Sequence, residues 1–282
     1  MTAAGASPLA VLGSGSLAAY WRFHRAVAAA QLAAWLPAGR RLLVDISGPR
    51  SGSAAQAAAA GHRVVRVRWA PAGPEPARAG DLPRYARTGA VQGAAVPPAL
   101  PQRPAGGRMV TVAAEPASLA CLAGGCADGV IADDSALSRH LMAEDLAAEI
   151  ARVLRPGGEL LCCVDSLVLG MAILAEQHRW AHLTDVPHAE VVLVPWPDGT
   201  ITRCFGAAQF RDLLTEAGLD VRWIRPRTVL SPSTVDHVLR REPGAIARLV
   251  RAELAACAQG PAGDDADEPF GIYLLAAARK PG

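Results

Sequence analysis

SRHLMAEDLAAEIARVLRPGGELLCCVDS, residues 138–166, decides how the rest of the chain is read. Leu146, Ile150, Val153 and Leu154 recur at helical spacing, so the first part predicts an amphipathic helix. Glu144, Asp145 and Glu149 sit early in it and Arg152 and Arg155 late, which suits the helix dipole. Pro156 cannot continue a helix, and Gly157 and Gly158 supply the reversal. Glu159 to Val164 then reads as a short buried strand.

Outward from this segment, helix and strand alternate. Leu17 to Leu36 predicts a helix, Arg41 to Ile46 a strand with an acid near its end, Ser53 to Ala60 an alanine helix and Arg63 to Val67 a strand. Residues 70–108 hold PAGPEPARAGDLP, VPPALP and RPAGG; that Pro/Gly density predicts a long insert without regular structure. Met109 to Ala113 and Asp128 to Ala132 are short strands. Ser166 to His182 predicts one helix, and Val191 to Val194 with Thr200 to Cys204 a hairpin turning at Pro197-Asp198-Gly199. Ala207 to Ala217, Val235 to Arg241 and Ala245 to Cys257 follow as helices, Leu219 to Ile224 and Ile272 to Ala277 as strands, with an acidic loop from Gly260 to Glu268. The alternation predicts an α/β fold around a mostly parallel sheet.

Composition narrows the function classes. The 282 residues are 51% hydrophobic with a formal net charge of +2, enough for a sizeable core and without the basic excess of a nucleic-acid binder. Lys280 is the only lysine, so arginine carries the positive charge. The six cysteines form no CxxC motif and two fall in the predicted strand, so they read as small core residues rather than disulfides or metal ligands. The N-terminus lacks a basic segment ahead of its apolar stretch, and no apolar run is long enough to span a bilayer; the expectation is a cytoplasmic protein without membrane association.

The helix closed by ARVLRPGGELL, together with the ending FGAAQFRDLLTEAGLDVRWI and FGIYLLAAARKP, resembles class I S-adenosylmethionine-dependent methyltransferases. The resemblance covers residues 41–68 and 109–278. It implies a Rossmann-like, mostly parallel seven-stranded sheet with an antiparallel last strand and helices on both faces. It also implies S-adenosylmethionine as cofactor and methyl transfer as activity. The whole chain then reads as one such domain, with residues 1–40 as an N-terminal helical extension and 166–205 as a substrate lid.

The family's cofactor positions map onto this chain residue by residue. Asp45 matches the acid ending the first strand. The family has glycines two, four and six residues further on; here Ser47, Pro49 and Ser51 stand there, and the glycines are Gly48 and Gly52. Ser47 is small enough for close backbone approach, whereas Pro49 removes an amide donor. Where the second strand usually ends in a carboxylate for the ribose, the chain has Arg68, followed by Trp69, which could stack on adenine. Glu115, before Pro116, matches the acid that meets the adenine amino group. Asp133 and Ser135 follow the fourth strand and would face the cofactor, or would simply cap the next helix.

Methyl transfer from a sulfonium needs alignment more than acid–base help, and a base only when the acceptor must lose a proton. His140, after the fourth strand, is the candidate base. His178 and His182 stand four apart but lack an HExxH pattern, and no metal site is expected. Trp180, His182, Trp196 and Phe205 are candidate contacts to a small-molecule acceptor. Gly13-Ser14-Gly15-Ser16-Leu17-Ala18 fits a dinucleotide fingerprint in letters only, since no acid occurs before Asp45. The missing glycines also support an alternative, a binding or regulatory module that has lost turnover. The Trp21/Trp35 helix could cover its own sheet or a second copy in a homodimer.

Overall fold

Neighbouring residues of the central strands divide between two cores, and this division builds the layers. A computed structural model describes residues 14–48, 50–69, 107–186, 189, 191–196, 199–258 and 271–282. Helix α1 (Ser14–Trp35) precedes strand β1 (Leu42–Asp45), helix α2 (Ser53–Ala59) and strands β2 (Arg63–Trp69), β3 (Arg108–Ala114) and β4 (Ala127–Ala132). A 3-10 turn at Leu137–Arg139 leads to α3 (Ala143–Val153) and β5 (Leu154–Asp165). Helices α4 (Leu167–Glu176) and α5 (Trp180–Asp185) and the hairpin β6 (Val192–Pro195) and β7 (Ile201–Cys204) follow. The chain closes with α6 (Ala207–Glu216), β8 (Asp220–Pro226), α7 (Pro232–Arg241), α8 (Ile246–Ala258) and β9 (Tyr273–Arg279).

The main sheet has the order β3-β2-β1-β4-β5-β9-β8. Strands β1 to β5 run parallel, and β9 is antiparallel to both β5 and β8, as the resemblance implies. Val44, Val130, Leu160, Cys162 and Val164 join α3 and α6 in one core. Leu43, Ile131, Leu161 and Cys163 join α1 and α2 in the other. The period of two thus places helices on both faces. Burial pushes the Cys163 thiol up to about 12, consistent with a core residue rather than a reactive thiol.

Trp35 is seated on the chain's own sheet. A Cβ at Gly129 would lie 3.2 Å from its ring, so a glycine in the middle of β4 makes room for the indole. The segment 138–166 folds with two differences from expectation. The helix ends at Val153, and Leu154 already has extended backbone and pairs with Ala127. Pro156 disfavours helical backbone at Arg155, and Gly157 turns at φ 76° before regular pairing resumes at Glu159. The predicted helix 166–182 is two helices broken at His178, whose φ is 56°. His178 and His182 therefore do not share a helix face.

The hairpin pairs antiparallel as predicted, with Val192 opposite Cys204. Pro197-Asp198, residues 70–106, Pro49, His188, Gly13 and the acidic loop lie outside the described residues. Among the described residues no helix is long and apolar enough to cross a membrane, and no group of three metal-ligating side chains gathers.

Candidate functional site

Parallel strands deliver their C-terminal ends to one edge, and open α/β sheets bind ligands there. Asp45, Trp69, Asp133 and Asp165 all arrive at that edge. Between the ends of β1 and β2 and the turn after β4 lies a crevice of about 190 Å3. Ile46, Ser47, Gly48, Val67, Arg68, Trp69, Ala136, Arg139 and His140 line it. Trp69 and His140 meet edge to face, with ring centroids 5.2 Å apart. Burial, and then Arg139, lowers the His140 pKa, so the ring is neutral at pH 7.

The crevice combines apolar and donor surfaces. Val67, Ala136, Ile46 and the Trp69 indole offer apolar walls, while Arg68 and Arg139 offer donors. Among the described residues no carboxylate lines it, so these residues offer a ribose no acidic acceptor. Glu115 and Pro116 are exposed on the turn after β3 and do not reach the crevice.

The side toward β4 is closed by polar contacts of the chain itself. Asp45 is 1% exposed and accepts from the Ser47 amide at 3.1 Å and from the Ser53 hydroxyl. Burial raises its pKa. Gly52 caps the α2 N-terminus without a side chain. The Ser47 hydroxyl accepts from the Asp133 amide at 2.9 Å, and the Gly48 amide donates to the Asp133 carbonyl at 3.0 Å. Arg50 and Arg139 both hold the Asp134 carboxylate, at 3.2 and 3.3 Å. Asp134 and Ser135 adopt φ of 52° and 56°, unusual for side chains other than glycine. The Ser135 hydroxyl donates to Asp165, whose carboxyl is pushed up to about 6, chiefly by burial.

Gly48 shows how tight this clasp is. A Cβ there would collide with the Asp134 carboxylate and lie 2.7 Å from both the Asp134 carbonyl and the Arg139 guanidinium. Gly48→Ala is expected to lower stability by about 1–3 kcal/mol, as overpacking does; urea unfolding checks it.

The acceptor candidates are dispersed. Trp180 and His182 are exposed on α5. The Trp196 indole donates to Thr202 at 2.8 Å. Phe205 is buried against Phe210, with the Arg203 guanidinium 4.9 Å from its ring centroid. The sequence reading did not find Arg50 or Arg139 as holders of Asp134, or Arg227, which is 2% exposed and ion-paired to Asp133 at 2.6 Å. No local motif signals a pair 94 residues apart.

Strand order, the antiparallel last strand and a crevice at the β1 and β2 ends define the class I S-adenosylmethionine-dependent methyltransferase fold. No family model matches the sequence, and neither does any curated protein; the likeness lies in three dimensions. An S-adenosylmethionine-dependent methyltransferase from Methanosarcina mazei superposes with a TM-score of 0.50 at 15% identity, covering 87% of this chain and 95% of that one. The 1,6-didemethyltoxoflavin-N1-methyltransferase of Burkholderia thailandensis, bound to its substrate and S-adenosylhomocysteine, gives 0.49 at 19% identity over 100% and 94%. At 15% identity the likeness to the Methanosarcina mazei protein shows the fold alone.

Proposed function

We propose that the chain binds S-adenosylmethionine with the adenosyl end in the crevice beside Trp69 and His140, and that it methylates a small-molecule acceptor. The observation that carries this reading is the open crevice at the carboxyl ends of β1 and β2, beside the topological switch of a methyltransferase-type sheet. Trp69 would stack on the adenine, and Arg68 and Arg139 would donate to its ring nitrogens or to the ribose oxygens. Bound there, the cofactor supplies an electrophilic methyl group on a sulfonium. His140, whose pKa is lowered chiefly by burial, would take a proton from an acceptor hydroxyl or amine beside the crevice.

A second reading has its own observation. The volume of about 190 Å3 is below the several hundred typical of ligand pockets. The Gly48–Asp133 and Arg50–Asp134 contacts close the side where the amino-acid end would lie. A module that binds adenosyl compounds without turnover fits this clasp. Calorimetric titration with S-adenosylmethionine, S-adenosylhomocysteine and adenosine separates the readings. Under the enzyme reading both sulfur compounds bind far more tightly than adenosine, and Trp69→Ala weakens them about tenfold, the scale of one aromatic contact. Equal binding of all three favours the module. Absence of heat for every compound, or full affinity in Trp69→Ala, overturns the crevice assignment.

A further inference from the structure

At the opposite edge of the sheet, where β1, β2 and β3 begin, an open recess of about 600 Å3 is lined by Arg40, Arg41, Leu42, Arg63, Arg108 and Asp128. Its one carboxylate is already engaged. Asp128 accepts from Arg155 at 2.8 Å and from the Leu42 amide at 2.7 Å, with Arg41 at 3.9 Å. Among the described residues no ion pair or hydrogen bond reaches the guanidinium groups of Arg40, Arg63 or Arg108. Arg63 and Arg108 also occupy paired positions of adjacent parallel strands, whose axes run about 4.8 Å apart. Like charges facing each other across a ladder are destabilising.

The ordinary role for cations at this edge is to cap helix C-termini, because helices return here with their negative ends. That role accounts for only part of this charge, since two helix ends, those of α1 and α2, remain to be met. Neither α1 nor α2 has a basic residue in its last turn, and the end of α3 is capped by Lys280, whose ammonium donates to the Ala151 and Leu154 carbonyls at 2.7 and 2.8 Å. The guanidinium charges outweigh the partial charges of the two helix ends. In a protein of net charge +2, this edge concentrates positive charge around one concave surface.

We propose that this recess binds a small ligand carrying a chain of two or three phosphates, clamped between Arg40, Arg63 and Arg108. Guanidinium forks match phosphate oxygens in pairs, and three forks without a partner among the described residues would pair with six oxygens where a single phosphate has four. The site lies across the sheet from the crevice, so this assignment stands whether or not methyl transfer does.

The test is calorimetric titration of the full chain with inorganic tripolyphosphate, pyrophosphate, orthophosphate and ADP at low ionic strength. Tripolyphosphate and pyrophosphate are expected to bind at micromolar levels and orthophosphate much more weakly. ADP matching pyrophosphate means that the phosphates alone are read; tighter ADP binding adds a base contact to the same site. Arg63→Gln with Arg108→Gln is expected to weaken tripolyphosphate about a hundredfold, roughly tenfold for each charge-assisted contact. The same pair should raise the ligand-free thermal midpoint by about 1–2 °C by removing the facing like charges, which shows that the variant is folded. Unchanged affinity in that variant, no heat with any phosphate, or tight binding of single-stranded DNA while tripolyphosphate fails would overturn the proposal.

Discussion

Asp133→Ala is expected to cost about 3–5 kcal/mol, the scale for breaking one side of a buried ion pair. The Arg227 guanidinium is 2% exposed and its Nη2 donates to Asp133 Oδ1 at 2.6 Å. Its Nε has no partner among the described residues, so Asp133 supplies the compensating charge. Removing the carboxylate leaves a charge that can neither reach water nor give up its proton. Asp133 also accepts from the Ser51 hydroxyl at 3.3 Å, tying the turn after β1 to the end of β4. For a domain of this size the loss corresponds to a thermal midpoint lower by roughly 10 °C. Adding Arg227→Met to Asp133→Ala should recover most of it, because an apolar side chain tolerates the site that a lone guanidinium does not. A single substitution costing under about 1 kcal/mol, the range of exposed pairs, would show that the pair is solvated.

The second large effect concerns pH. His24 lies among Tyr20, Trp21 and Tyr273, with ring centroids 6.1, 5.3 and 5.2 Å away. Its buried Nε2 has no hydrogen-bond partner among the described residues. Burial first, and then Arg227, lowers its pKa to about 3, while Asp133 partly opposes and Arg25 and Arg50 add to the depression. Below its unfolded value of about 6.5 the unfolded chain takes up a proton that the folded chain refuses. Stability is therefore lost as pH falls from about 6.5 toward 3, by about 3 kcal/mol at pH 4.

Asp165 works in the opposite direction. Its folded pKa of about 6, raised by burial, exceeds the unfolded value of about 3.9. The folded state binds the proton first, so stability rises as pH falls through 6 and levels off near 4, by about 3 kcal/mol. Asp45, also raised by burial, acts in the same sense. Asp165 and Asp45 thus offset much of the His24 loss between pH 6 and 4, while His62, His140, Glu144 and Glu149, whose pKa values are lowered in the fold, add to the loss. Relative to wild type, His24→Phe, which suits the aromatic neighbours, should gain stability on acidification, and Asp165→Asn should lose it. Urea unfolding at a series of pH values checks both; a His24→Phe profile parallel to wild type would rule out the buried neutral imidazole.

The candidate site was partly legible in sequence. Ser47, Gly48 and Arg68 follow from the family resemblance and His140 from its place after the fourth strand, and all four line the crevice. Trp69, considered beside Arg68, stands there too. Glu115 was placed by analogy with an acid after the third strand, but the turn at Pro116 and Ala117, with Ala117 at φ 59°, leaves it in solvent. Phe205 is expected as an acceptor contact because the resemblance implies a substrate lid over 166–205; its ring lies in the core beneath α6. The split of 166–182 into two helices was hidden because its letters suit a helix throughout, while the backbone reverses at His178.

Local chemistry by itself determined the elements and the fold class. Apolar spacing in 143–153, the Pro-Gly-Gly stop and the apolar strand after it need only neighbours within a few residues, and such signals survive in one dimension. Tertiary structure alone decided the charges. Asp133 finds Arg227, Asp134 finds Arg50, Asp128 finds Arg155, and Arg63 comes to face Arg108, across separations that no periodicity encodes. An ion pair depends on where side chains end in space, and only the closed sheet fixes those positions.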